Sequence, residues 1–478
     1  MNELFVLTSI FILGIVISSR ISGSQSNDHL IAYLPMGIFS SIGFITIIEL
    51  SFRSSPYGRM LNAGVVIAIA IGILAAYKFR QLIELQFHYL VILISVVMAL
   101  ILVIRNFGFV LLTPDSYAIL ANASYFRDPI PISFGSMSEV VKRGVTYPVL
   151  NGLMDRDNFM VALAPLLSIA LIAQVMSALY LFRRYLVSIW AATAVALILL
   201  VGFLSMYQVQ QNWFYVNTHT LVAGCLTSLA VLGFIWKHKA PTRTELYFAS
   251  GIGIALSLSR AEGYLLFIVA IVGITSISKL GIKDVFHISI LPLIGNVIWY
   301  VTLILSFDKG GEALSILLID FFLTIAVVTL QVRRLETLRG NFMHLSAFAA
   351  GVAILVISAK SPDQFMEGIS NCVNNYSRYW GVLLLCMVIL TIVAVFKHRS
   401  YPLSGYMGMF SLNLFLFSVF AKLSDGGAGN QVMMCRPGWG DSLNRSLMHL
   451  MGLMILSSVF ILSEKSFKKS PDISILSK

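Results

Sequence analysis

Charge is what this sequence has least of. Only 12% of its 478 residues are Asp, Glu, Lys or Arg, and 58% are hydrophobic. A soluble domain carries roughly a quarter charged residues, and no single soluble core hides this much apolar surface. Cysteine is also scarce, with four in the chain. Cys225 and Cys386 fall inside apolar runs and read as inert. Cys372 and Cys435 fall in loops expected outside the cytoplasm, where a disulfide is permitted, and the pairing stays open. There is no basic segment ahead of the first apolar stretch, so Met1–Ser19 reads as a first span and not as a cleavable signal. No internal repeat, low-complexity linker or nucleic-acid-binding motif occurs, and nucleic acid is not expected as a partner.

Apolar runs of bilayer length are present instead, and mean hydropathy is +0.87. Backbone polar groups inside lipid must bond to one another, which leaves helices or a closed barrel. A barrel alternates apolar and polar residues. Stretches such as Phe159–Phe182 and Leu186–Met206 are apolar on every face. The expected fold class is therefore an all-α polytopic membrane protein with about 14–15 transmembrane helices. Spans are placed near 3–20, 31–51, 60–77, 88–105, 159–182, 186–206, 217–236, 246–258, 264–278, 285–306, 313–331, 344–359, 380–396, 402–420 and 448–463. Those at 246–258 and 264–278 are short and are expected to tilt or to reach only the membrane face. The whole chain, 1–478, reads as one membrane domain.

The net charge of +11 resolves by position. Alternate connections carry Lys78/Arg80, Arg183/Arg184, Lys237/Lys239/Arg243, Lys279/Lys283, Arg333/Arg334/Arg339, Lys397/Arg399 and the tail Lys465/Lys468/Lys469. By the positive-inside rule these belong in the cytoplasm, although Arg53 and Arg59 fall on the other side. The long connections 106–158, 207–216, 360–379 and 421–447 then lie outside, in a bacterium the periplasm. The expected location is a bacterial inner membrane, with the N-terminus external and the C-terminus cytoplasmic.

The external segments hold the chemistry. Thr113-Pro114-Asp115 is a helix start, with a capping hydroxyl, Pro at the first position and an acid in the first turn. Tyr117, Leu120, Ala121 and Ser124 follow on one face, which predicts a surface helix ended by Pro129 and Pro131. Asp115 either complements the helix dipole or serves as a general base. Ser259-Arg260-Ala261-Glu262-Gly263 is a tight turn whose charges form a local pair or bind a ligand, and guanidinium suits phosphate oxygens. In the last external segment, which also holds Arg436, the residues Asp441, Arg445 and His449 recur at four-residue spacing. They share one face of a helix re-entering the bilayer. His219 opens a span beside the aromatic run Trp213-Phe214-Tyr215. Asp320 is an acid inside a span, where acids are costly and functional by default. Asp155 and Asp157 form an acid-x-acid pattern that occurs by chance, and no metal or other cofactor is expected.

Taken in order, these features resemble the GT-C superfamily of integral-membrane glycosyltransferases. The resemblance rests on the acid of Thr113-Pro114-Asp115-Ser116-Tyr117 and on Tyr147-Pro148-Val149-Leu150, which looks like the family's Asp-Tyr-Pro-Leu-Leu element. It also rests on the Arg260-Ala261-Glu262-Gly263 turn and the Asp441 to His449 stretch. It covers a core of 88–478, with periplasmic loops at 106–158, 360–379 and 421–447 and surface helices in the first; the spans within 1–87 are additional. What it implies is an inverting transferase that moves a sugar from a polyprenyl-phosphate carrier to a glycan, lipid or protein acceptor at the external face, in cell-envelope polysaccharide biosynthesis. Asp115 would be the base, and Arg260, Arg436 and Arg445 would hold the carrier phosphate. Glu262, Asp441, His449, Tyr147 and His219 complete the expected binding set. Two other readings stay open, a lipid-linked polysaccharide polymerase or ligase and a transporter or flippase.

Overall fold

A computed structural model describes residues 3–22, 28–52, 119, 123, 144–153, 163–204, 218–278, 280–306, 310–331, 335–379, 381–424 and 447–466. Among these the secondary structure is helical, apart from one isolated antiparallel bridge between Leu186 and Glu464. The helices are α1 (Glu3–Ser22), α2 (Asp28–Phe52), α3 (Thr146–Gly152), α4 (Leu163–Leu181), α5 (Ile189–Leu204), α6 (His219–His238), α7 (Arg243–Ser257), α8 (Gly263–Ile277), α9 (Ile282–Ser306), α10 (Gly310–Thr329), α11 (Glu336–Lys360), α12 (Pro362–Tyr379), α13 (Gly381–Phe396), α14 (Pro402–Ser424) and α15 (Met451–Ser463). Segments of α2, α4, α6, α9, α11 and α14 are long and apolar enough to cross a bilayer. Shorter apolar helices lie in α1, α5, α8, α10, α13 and α15. The spans expected at 60–77 and 88–105 lie outside the described residues.

The lipid-facing surface is visible in what the helices leave uncovered. Leu318, Phe321, Phe322 and Ile325 on α10 and Val382, Leu385, Ile389 and Phe396 on α13 are exposed. Patches of this kind do not persist on a water-soluble monomer and are ordinary against hydrocarbon. The interior is the reverse case. Every residue of α6 from His219 to Phe234 is buried, which makes it a central post of the bundle.

Apolar burial does not hold helices together inside lipid; close packing does, and small residues permit it. Gly14 and Ser18 on α1 meet Gly37 and Ser41 on α2, and a Cβ on Gly37 would stand 2.2 Å from Ser18 Oγ. Ser18 Oγ also donates to the Tyr33 carbonyl, and Ser41 Oγ to that of Ile10. On its other side α2 closes on α7, where a Cβ on Gly43 would lie 1.9 Å from the Gly251 carbonyl oxygen. α7 packs in turn on α9, and α9 on α10. The two N-terminal helices are therefore integral to the bundle.

α7 and α8 are each 15 residues long, roughly 22 Å at helical rise and shorter than the hydrocarbon core. α7 is enclosed by its neighbours, with Leu246 and Phe248 through Ser257 buried. The segment expected as an external loop at 360–379 is the amphipathic helix α12. Its residues Phe365, Ile369 and Cys372 pack towards Ile354, Ile357 and Val419, while Met366, Glu367 and Val373 are exposed. Of the surface helix predicted after Thr113, Ile119 and Ala123 are described, and both are helical and buried.

Short connections alternate between the two ends of the bundle, and one end gathers basic residues. Arg184 Nη2 donates to Tyr185 Oη, which lies 3.0 Å from His238 Nε2. Lys239 Nζ pairs with Glu245 at 2.8 Å, and Glu245 completes a capping box with Thr242 at the start of α7. Glu464 accepts from the backbone amides of Leu403 and Ser404, each at 2.9 Å, and so caps α14. The Lys465 amide donates to the Tyr185 carbonyl. Arg183/Arg184, Lys237/Lys239 and Lys465, separated in sequence, thus share one end.

Candidate functional site

The opposite end holds the Arg-x-Glu turn. α7 stops at Ser257, and the Ser259 hydroxyl turns back to donate to the Leu256 carbonyl at 2.6 Å. Residues 260–262 then bring the chain round into α8, with the Gly263 amide donating to the Arg260 carbonyl. Within the turn, Arg260 Nε donates to Glu262 Oε1 at 2.7 Å. The two side chains are 18% and 34% exposed, so the pair borders on open space. Burial works against ionising Glu262. The Arg260 guanidinium and a backbone amide hydrogen bond outweigh it, with His449 acting in the same direction, and the carboxyl titrates at about 2 against an ordinary 4.5. Only one guanidinium nitrogen is engaged, and Nη1 and Nη2 of Arg260 have no partner among the described residues.

A second segment docks on the turn. The Val145 and Thr146 amides both donate to the Leu258 carbonyl, at 2.7 and 3.1 Å. The approach requires glycine at 144: its φ is +69°, and a Cβ there would stand 2.2 Å from the Ser259 carbonyl oxygen. Tyr147 follows at 1% exposure, and its hydroxyl has no hydrogen-bond partner among the described residues. Burial pushes its phenol upward. Enclosed in this way, Tyr147 braces the segment.

Two histidines complete the group. His219 begins α6 and His449 lies just ahead of α15, and they are 3% and 4% exposed. His219 Nδ1 and His449 Nε2 are 2.7 Å apart, with ring centroids at 4.8 Å. One nitrogen of the pair donates to the other. The pair links a central helix to the last one, and His449 in turn acts on Glu262. Of the sequence candidates, Tyr147, Arg260, Glu262, His219 and His449 therefore lie at one end of the bundle. Asp115, Arg436, Asp441 and Arg445 lie outside the described residues, as do Asp155 and Asp157.

Beneath this end lies a polar chain inside the membrane-spanning helices. Asp320 on α10 accepts from Asn296 Nδ2 on α9 at 2.8 Å. Thr324 Oγ1 donates to the Asp320 carbonyl at 2.8 Å, leaving the Tyr264 hydroxyl on α8 to donate to Thr324 Oγ1. Tyr300 on α9 is within electrostatic reach of both Asp320 and Glu262. Sequence reading marked Asp320 but not Asn296, Tyr264, Thr324 or Tyr300. The available signal was that Asn296, like Asp320, interrupts an otherwise apolar span.

No protein-family model matches this chain, and no curated protein or solved structure matches it either. Its site must be read from its own residues. Among the described residues no group of three His, Cys, Asp or Glu side chains could hold a metal ion. Cys225 and Cys386 carry free thiols and Cys372 is disulfide-bonded. Cys435, the sequence candidate for its partner, lies outside the described residues.

Proposed function

We propose that this chain is a GT-C-type glycosyltransferase that moves a sugar from a polyprenyl-phosphate carrier to a glycan, lipid or protein acceptor. The observation that carries the reading is the assembly at one end of the bundle. There the Arg260–Glu262 turn receives the 144–147 segment and is influenced by the buried His219–His449 pair. Nη1 and Nη2 of Arg260, which have no partner among the described residues, are suited to the oxygens of a lipid phosphate. Glu262 holds the guanidinium in place through Nε.

In this reading Asp115 takes the proton from the acceptor hydroxyl. The acceptor oxygen attacks the anomeric carbon, the bond from that carbon to the phosphate oxygen breaks, and the carrier phosphate leaves with the electron pair. A single displacement inverts the configuration. Arg260, with Arg436 and Arg445, stabilises the charge on the departing phosphate. The reaction belongs on the external side of a bacterial inner membrane, with the N-terminus external and the C-terminus cytoplasmic. Support for that orientation comes from the disulfide at Cys372 and from the basic residues gathered at the far end; basic segments favour the cytoplasm.

The test is transfer by purified protein from polyprenyl-phosphate sugars to an extracted lipid or glycan acceptor. Asp115→Ala should abolish product while leaving expression and thermal midpoint unchanged. Full activity in that variant with its true donor would remove Asp115 as the base.

A further inference from the structure

The basic end of the bundle carries more positive charge than its own acids neutralise. Arg184 lies in the turn after α4, Lys237 near the end of α6, and Lys465 just past α15. These distant segments meet around Tyr185. The Tyr185 hydroxyl accepts from Arg184 Nη2 at 2.9 Å, which leaves its proton for His238 Nε2 at 3.0 Å. Lys465 Nζ donates to the Arg184 carbonyl at 3.3 Å, and Lys237 Nζ stands 5.4 Å from the centre of the Phe234 ring. Two acids stand nearby, and both are committed. Glu245 pairs with Lys239 and caps α7. Glu464 is 4% exposed and spends its two oxygens on the amides of α14, acting on Lys237 only at longer range. Arg184, Lys237 and Lys465 are exposed, and none has a salt bridge among the described residues.

Hydrocarbon begins where these charges stop. α5 starts at Ile189, shortly after Arg184, and Trp190, Ala194, Ile198 and Val201 recur along it at helical spacing, all exposed. Tryptophan at the head of such a stripe is the residue of the bilayer interface, where its ring sits at headgroup depth. A ligand that uses both halves has a negative headgroup and hydrocarbon chains. A free phosphate or an acidic peptide would use the cations and leave the stripe idle. We propose that Arg184, Lys237 and Lys465 seat one anionic glycerophospholipid, its phosphate on the three cations and its acyl chains along the Trp190–Val201 stripe of α5. Such a lipid relieves the repulsion among cations drawn to one place, and because it binds only the assembled segments it stabilises the fold. The seat lies at the end opposite the Arg260–Glu262 turn and does not rest on the proposed function.

The test titrates full-length protein, purified in detergent, with dioleoyl phosphatidylglycerol or dioleoyl phosphatidylcholine, and bound lipid is counted by native mass spectrometry. Phosphatidylglycerol should bind about tenfold tighter or better and raise the thermal midpoint. Arg184→Gln, Lys237→Gln and Lys465→Gln should each weaken it about fivefold and leave phosphatidylcholine unaffected. Lys283→Gln, which removes an exposed cation outside this group, should change neither. Thermal midpoint and elution volume without lipid confirm that each variant is folded. Phosphatidylglycerol with a diazirine at the end of one acyl chain should place its adducts within α5, residues 189–204. Equal binding of the two lipids, or undiminished binding by the triple glutamine variant, overturns the cationic seat. Equal stabilisation by inorganic phosphate overturns the acyl half and makes this a site for a free anion. Adducts spread over the exposed faces of α10 and α13 overturn the path along α5. No sugar or acceptor is present, so a failure here is distinct from a failure of transfer.

Discussion

Glu262 remains ionised where burial opposes it, because the Arg260 guanidinium lies against it at 2.7 Å and His449 acts in the same direction. Its folded titration point, about 2, lies below the ordinary 4.5. Ionised Glu262 therefore stabilises the fold above pH 4.5, and that contribution fades as pH falls towards 2. The pair is partly exposed, so its worth is about 0.2–1 kcal/mol. Glu262→Gln should lower the unfolding free energy at neutral pH by that amount, with the gap to wild type closing between pH 4.5 and 2. A gap that stays constant down to the acid limit would show the carboxylate to be uncoupled from the turn. The buried imidazoles are expected to act as a unit. Replacing His219 or His449 alone by Ala leaves a buried nitrogen without its partner, so the double variant should lose less than the sum of the singles. A double-mutant cycle should give a coupling of about 0.5–3 kcal/mol, and additive losses would refute the pairing. Arg260, Glu262, His219 and His449 were all legible in the sequence, because charged and imidazole groups next to apolar runs stand out. Which atoms they share was not legible, since His219 and His449 are 230 positions apart.

Among the elements, the docking of α3 is decided by one residue. Gly144 holds a positive φ with its α-carbon against the Ser259 carbonyl. An alanine there meets a left-handed conformation costing about 1–2 kcal/mol and a backbone oxygen that cannot move without unseating the turn. Gly144→Ala should cost about 2 kcal/mol or more and speed hydrogen exchange at the Val145 and Thr146 amides. A neutral or stabilising outcome, normal for Gly→Ala at an ordinary backbone position, would contradict the docking. α12 teaches a different lesson. Its apolar positions Phe365, Ile369 and Cys372 recur at helical spacing, but polar residues at 363, 367, 371 and 374 lower its hydropathy to that of a loop. A search for spans passes over it, whereas periodicity would have found it. α7 is similar: charges at Arg243 and Glu245 mark it as marginal, and burial by its neighbours makes it part of the core.

For the whole molecule, the two ends differ in kind. One gathers Arg183, Arg184, Lys239 and Lys465; the other holds the Arg260–Glu262 turn and the histidine pair. The proposed orientation puts the second outside. With Cys225 and Cys386 replaced by Ser, Glu367→Cys on α12 should react with a membrane-impermeant maleimide in intact cells, and Lys465→Cys only after permeabilisation. The reverse pattern would invert the orientation and take the site into the cytoplasm. Hydropathy alone was enough to establish a helical membrane protein, because each span must satisfy its own backbone within lipid. That condition is local and can be read from consecutive residues. The Asn296–Asp320 pair, the Gly43–Gly251 contact and the seating of residues 144–147 on Leu258 came only from the folded chain. Hydropathy has nothing to say about which apolar helix packs on which; that choice is made by small residues and single polar atoms, whose partners lie far away in sequence.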